Sequence, residues 1–159
     1  ASVQAATPLA RDGEVFLTVS YATGAVLLRL KKGEAEEVWS GDKSLSSQYT
    51  TPVRVGEHLY GTDGRSDYGN GQMRCVEWKT GAVKWAEKNF GVASVIAVDG
   101  GILALTEKGE LVRFDASPDG YKERARATIL GDKQRAAPAL ADGRLFARDG
   151  KQLVCVSLK

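Results

Sequence analysis

Val76–Trp85, "VEWKTGAVKW", sets a Thr80-Gly81 turn between two short runs rich in aromatic and β-branched residues. Such a stretch reads as two antiparallel strands joined by a tight turn, with glycine supplying the positive φ the turn needs. The decisive question is whether it is one isolated hairpin or one copy of a repeat. Aligned on short apolar runs that precede a Gly-bearing turn, the chain yields four matching segments: "ATPLARDGEVFLTV", "TTPVRVGEHLYGT", "ASVIAVDGGILALT" and "AAPALADGRLFARD". Pro8, Pro52 and Pro138 share one column, with Ser94 in that column in the third copy, so successive copies start about 42 to 44 residues apart. That period is the size of one four-stranded propeller blade.

The copies share an internal order. In the fourth, Pro138 to Ala141 reaches a turn at Asp142-Gly143, Leu145 to Arg148 returns, and a second turn at Asp149-Gly150 leads into Gln152 to Leu158. The alternation of apolar and polar residues along these runs fits pleated strands with one buried face. In the second copy the third strand is "MRCVEW", and the Thr-Gly turn leads into a fourth strand closed by Trp85; Trp39 in "EEVWS" is the matching tryptophan one copy earlier. No stretch shows sustained helical periodicity. The expectation is an all-β chain of about fifteen strands in four antiparallel sheets, with repeats at approximately 1–40, 41–86, 87–130 and 131–159.

With "CVEWKTGAVKW" in place, the chain resembles the PQQ-like β-propeller repeat, in which the third strand ends near an acidic residue, a Thr-Gly turn follows and a tryptophan closes the fourth strand. The third copy departs from the pattern: "DASPDGYKERARAT" keeps Asp115 and Gly120 but has Arg124 or Ala125 at the tryptophan position. The resemblance is to bacterial, often periplasmic or otherwise extracytoplasmic, PQQ-binding-like propellers, which usually close with seven or eight blades. On that footing the chain is half a propeller, from a longer gene product. An open arc exposes an apolar face at each end, which the remaining half or a second copy would cover. A compact four-bladed ring with Ser2–Ala6 as the missing outer strand is the weaker arrangement, since five residues make a poor strand.

Composition excludes several function classes. The 22 basic and 20 acidic residues nearly cancel and are scattered, so no nucleic-acid surface is expected. No apolar run reaches the roughly 20 residues of a membrane span. His58 is the only histidine and falls in the turn of the second hairpin; without G-x-S-x-G or H-E-x-x-H, hydrolase chemistry has no constellation to rest on. Cys75 and Cys155 occupy one column of the second and fourth copies, two blades apart, too far for a disulfide, and are expected to be reduced and buried. The neighbouring cysteines that contact PQQ in some quinoprotein dehydrogenases are absent.

Asp63, Asp67 and Asn70 in the inserted loop "DGRSDYGNGQ" are the weak candidates for calcium, but their spacing is not that of an EF-hand, and a polar glycine-rich hairpin tip explains them better. The run "YKERARATILGDKQR" gathers Lys122, Arg124, Arg126, Lys133 and Arg135, as expected of a solvated outer strand. The residues most suited to a ligand are those that precede each innermost strand and so ring the channel mouth: Gln4 with Ala5, Gln48 with Tyr49, Asn89 with Phe90, and Gln134 with Arg135. The expected function is a non-catalytic scaffold presenting these loops to a protein, peptide or glycan, without a cofactor. The alternative implied by the resemblance is part of a PQQ- and calcium-dependent dehydrogenase of alcohols or sugars. Trp39, Trp85 and Gly81 are the expected structural residues.

Overall fold

A computed structural model of the chain describes residues 4–131 and 133–158. It is all-β apart from one 3-10 turn, Ser66–Tyr68. Fifteen strands form four antiparallel sheets. The first holds β1 (Leu9–Arg11), β2 (Glu14–Val19), β3 (Gly24–Lys31) and β4 (Glu34–Gly41); the second holds β5 (Val53–Val55), β6 (His58–Asp63), β7 (Gln72–Glu77) and β8 (Val83–Glu87). The third holds β9 (Ala93–Val98), β10 (Gly101–Thr106), β11 (Glu110–Asp115) and β12 (Glu123–Thr128), and the fourth β13 (Ala139–Ala141), β14 (Arg144–Arg148) and β15 (Leu153–Ser157). Within each sheet the strands neighbour one another in chain order, as in a propeller blade. Among the suggested strand residues Ser2–Ala6, residues 2 and 3 lie outside the described residues, and 4 to 6 form no strand.

The register shows how each blade meets the next. One row runs across the first blade as Leu9, Phe16, Leu27 and Trp39, and the equivalent row in the second is Val53, Tyr60, Cys75 and Trp85. Both rows face the following blade. In each, the ladder slips by one residue just after the third member, between Leu27 and Leu28 and between Cys75 and Val76. Such a bulge twists the outer strand and re-aims its side chains. Trp39 thereby lies against the second blade and donates its indole N–H to the Trp78 carbonyl at 2.8 Å, while Trp85 donates to the Ser117 carbonyl of the third at 2.7 Å.

Each indole has a prepared seat. A Cβ on Gly81 would stand 2.7 Å from the Trp39 ring, so the Thr-Gly turn needs glycine for contact as well as for its φ of +71°. Trp78, fully buried, continues the contact by donating to Glu14 at 2.7 Å, with the Arg54 guanidinium 4.3 Å from its ring centroid. The Trp78 N–H and Arg29 hold the Glu14 carboxyl below its ordinary range. Trp85 sits among Tyr60, Phe114 and Tyr121, at centroid separations of 5.8 to 6.1 Å. At the third interface Leu103, Leu105 and Leu111 meet Leu145 and Ala147, and Asp149 accepts the Gly131 N–H across the junction at 3.0 Å.

Two cysteine expectations part here. Cys75 is buried between the second and third blades, where desolvation pushes its thiol up to about 11. Cys155 pairs with Phe146 in the same row of the fourth blade, but no described sheet lies beyond that row, so Cys155 is exposed. The expectation of two buried thiols therefore fails for Cys155: the column sets the face, and the next blade supplies the cover. Phe146 and Leu153 on that face are 38% and 71% exposed. His58 is the first residue of β6 and half-buried, rather than an exposed turn residue.

Trp85→Ala is expected to cost about 3 kcal/mol or more, as large-to-small changes at packed aromatics do, and Gly81→Ala about 2 kcal/mol from its positive φ and the ring contact. Denaturant titration checks both, with Tyr68→Ala expected to change stability little. A thiol reagent on native protein should label one cysteine per chain rapidly, Cys155, and leave Cys75 unmodified; mass mapping reads the site.

Candidate functional site

The loops that lead into β5 and β13, the β2–β3 turn, the β6–β7 loop and the β10–β11 turn converge on one side of the sheets. Their positions are fixed from beneath by buried polar contacts. Thr18 donates its hydroxyl to the Leu45 carbonyl at 2.7 Å and accepts the Ser47 N–H at 3.1 Å, and the Ser47 hydroxyl donates to the Thr62 carbonyl at 3.0 Å. Asp63 accepts the Ser46 N–H at 2.7 Å and pairs with Arg74 at 3.0 Å, with both side chains largely buried. These buried contacts pin the 42–49 linker to the second blade.

Above this floor runs a continuous polar and aromatic strip. Gln48 is its hub: its side-chain amide donates to Tyr21 and to Asp67, each at 3.2 Å, and its carbonyl accepts the Ser66 N–H at 2.8 Å. Arg65 is ion-paired with Asp67, and its guanidinium lies 4.4 Å from the Tyr21 ring centroid and 4.3 Å from that of Tyr68. Tyr68 is 70% exposed and Tyr21 38%. Tyr21 and Ala22 both take left-handed conformations, φ 63° and 59°, in a turn where Asn-Gly would be unstrained.

The strip continues toward the third and fourth blades. Tyr49 donates to Glu107 at 3.2 Å, Ser66 donates to the same carboxylate, and the Arg135 guanidinium lies 5.2 Å from the Tyr49 ring centroid. Burial, then the Glu107 charge, pushes the Tyr49 phenol above its ordinary value. Two depressions flank the strip. One, of about 490 Å³, is bordered by Tyr21, Arg65 and Tyr68; the other, of about 620 Å³, by Ser66, Glu107, Lys108, Lys133 and Arg135.

Of the residues picked from the sequence, Gln48, Tyr49 and Arg135 meet in this strip. Gln134 stands beside it but is buried, its backbone N–H donating to the Glu107 carbonyl at 3.0 Å. Phe90 lies instead in the core, against Phe114 and Tyr121, and the adjacent Asn89 is an exposed turn residue with φ 60°. Gln4 and Ala5 are exposed and outside any strand. Asp63 and Asn70 both border the first depression, but the side-chain oxygens of Asp63, Asp67 and Asn70 are engaged by protein donors. Asp63 serves Ser46 and Arg74, Asp67 serves Arg65 and Gln48, and the Asn70 side chain accepts the Arg65 N–H at 2.7 Å. Lys122, Arg124 and Arg126 lie at or on the exposed β12, where Arg124 pairs with Asp115 and Arg126 with Glu110 and Glu123. Tyr21, Arg65 and Tyr68 carry no sequence pattern that singles them out; the positive-φ turn that aims Tyr21 is visible only in the backbone.

No family model matches the chain, and no curated protein does. Among solved structures it is similar to BamB from Moraxella catarrhalis, with a TM-score of 0.72 and 16% identity, over 94% of this chain and 41% of that one. A computationally designed protein, Ika8, matches with a TM-score of 0.46 and 8% identity, over 88% of this chain and 54% of that one. The likeness to BamB, with the four sheets, shows a β-propeller fold, and the chain spans about two fifths of that protein's length. Among the described residues no helix is long and apolar enough to cross a membrane.

Alkaline pH tests the electrostatics of these rings. Burial raises the phenols of Tyr49, Tyr60 and Tyr121, so the folded chain keeps protons that the unfolded chain releases above about pH 10. Their stabilisation is present in full below that pH and is lost as pH rises toward the folded values. Denaturant unfolding from pH 8 to 11.5 should show stability falling above about pH 10, with tyrosinate absorbance appearing together with unfolding.

Proposed function

We propose that the chain is the loop-presenting part of a protein-binding β-propeller scaffold built from PQQ-like repeats. The observation that carries the reading is the Arg65 guanidinium held between the exposed rings of Tyr21 and Tyr68, on a strip that hydrogen bonds continue across three blades. Tyrosine and arginine are enriched among the residues that dominate binding energy at protein interfaces, each combining a large contact area with a polar group. Here the arginine is pre-ordered by two rings and by Asp67, so little of its rotamer entropy is left to lose on binding. Two consecutive left-handed residues at Tyr21 and Ala22 fit the same reading, since strain of that kind is retained where a side chain must be aimed.

The repeat type is supported by the Thr-Gly turn that receives the preceding blade's tryptophan. A quinoprotein site is not favoured by the residues present: the candidate calcium ligands Asp63, Asp67 and Asn70 each already serve protein donors. The exposed fourth-blade face carrying Phe146, Leu153 and Cys155 is where the rest of the propeller, or a second copy, would pack.

Peptide display on the immobilised protein tests the reading. Selected peptides are expected to lose about tenfold in affinity, near 1.4 kcal/mol, on Arg65→Ala and on Tyr68→Ala, while Arg144→Ala on the fourth blade binds as wild type. Equal binding to all variants, at unchanged melting temperature, would remove the strip as the recognition surface.

A further inference from the structure

The third blade keeps the bulge that aims the tryptophan and lacks the tryptophan. Its row toward the fourth blade runs Ile96, Leu103, Arg113 and Ala125, and the ladder slips between Arg113 and Phe114, the position of the slip in the two preceding blades. Ala125 therefore stands where Trp39 and Trp85 stand. Where the indole would lie there is an open groove of about 450 Å³, lined by Leu103, Leu111, Ala125, Ala127, Val156 and Leu158. A cleft of that volume, mainly apolar with a few polar groups, is of the kind that takes a small ligand.

Two charged side chains in the lining have no ion-pair partner among the described residues. Arg113 replaces the Leu27 and Cys75 of the equivalent rows, and the nearby Asp115 carboxylate is held by Arg124 through two contacts of 2.7 Å. Asp99, in the β9–β10 turn, also borders the groove. The third charge in the lining, Arg126, is neutralised by Glu110 and Glu123.

We propose that this groove binds a free aromatic amino acid, its ring taking the place of the missing tryptophan, its carboxylate meeting Arg113 and its ammonium meeting Asp99. The ring preference rests on the two sister interfaces of the same chain, where an indole fills the same position. The charge pattern selects a zwitterion over a simple aryl acid or amine. The inference is independent of the protein-binding strip, which lies on the loop side of the sheets.

The test is ligand-observed NMR and calorimetry on the full-length protein with three probes: tryptophan, indole-3-propionate, which lacks the ammonium, and tryptamine, which lacks the carboxylate. Tryptophan is expected to bind saturably and about tenfold tighter than either, a factor corresponding to one lost charge-assisted contact. Ala125→Trp should abolish binding and raise the melting temperature by supplying the indole from within; Ala125→Leu, a smaller filling, should weaken binding in a chain that folds as before. Arg113→Gln should erase the preference for tryptophan over tryptamine, and Asp99→Asn that over indole-3-propionate. Absence of binding by all three probes, affinity unchanged by Ala125→Trp or Ala125→Leu, or equal effects of Arg113→Gln and Asp99→Asn on every probe would overturn the proposal.

Discussion

The interaction on which the architecture depends is the donation of an outer-strand indole N–H to a carbonyl of the following blade. Sheets stacked face to face through aliphatic side chains alone could slide, because apolar contact is non-directional. A hydrogen bond of 2.7 to 2.8 Å from a large, rigid ring permits one offset. Trp39 and Trp85 each combine that bond with extensive burial, so packing and registration come from the same side chain. The bulge in the outer ladder aims the ring, and the turn of the next blade, at Gly81 in the second, receives it.

Registration by these two tryptophans has consequences for the loops. Once the first three blades are locked in offset, Tyr21, Gln48, Ser66 and Glu107 reach one another although they come from three sheets. The Gln48 and Glu107 contacts within the strip add to the buried Thr18, Ser47 and Asp63 contacts beneath it. The strip is a rigid surface on mobile-looking sequence, which is how loops on a sheet scaffold carry recognition.

Strand order was legible in the sequence because the period-two alternation and the Thr-Gly turn are local signals, but alignment on Ser94 sets the third copy one residue early: its register matches Ile96 with Leu9, Val53 and Ala139, so Val95 rather than Ser94 stands in the proline column. Of the residues before the innermost strands, Gln48, Tyr49 and Arg135 meet in the strip, whereas Gln4, Ala5, Asn89, Phe90 and Gln134 do not. Facing was not legible. Phe90, like Tyr49, precedes an innermost strand, yet it turns into the cluster of Phe114 and Tyr121, because the second interface is aromatic and a buried ring gains more there than at the loop surface. Trp78 carries no comparable signal, because strand alternation assigns a face without saying what lies on it. Cys155 shows the same limit from the other side: the column predicted its face correctly and its burial wrongly, because burial depends on a neighbour that the row itself does not encode.

That dependence orders the four rows of the chain by what covers them. In the first two, a row ending in tryptophan packs on the next blade, with Phe16, Leu27, Tyr60 and Cys75 buried and the tryptophans half-buried. In the third, Arg113 and Ala125 replace the two outer members, and the fourth blade covers only the inner half, leaving a groove. In the fourth, Ala139, Phe146 and Cys155 form a row with no described cover. Apolar character is kept in that last row, whereas the third admits an arginine. A solvent-facing sheet would alternate toward polar residues, as β12 does on its outer side. Phe146 beside Cys155 thus keeps the fourth face apolar, while Arg113 sets a charge at the rim of the groove in the third.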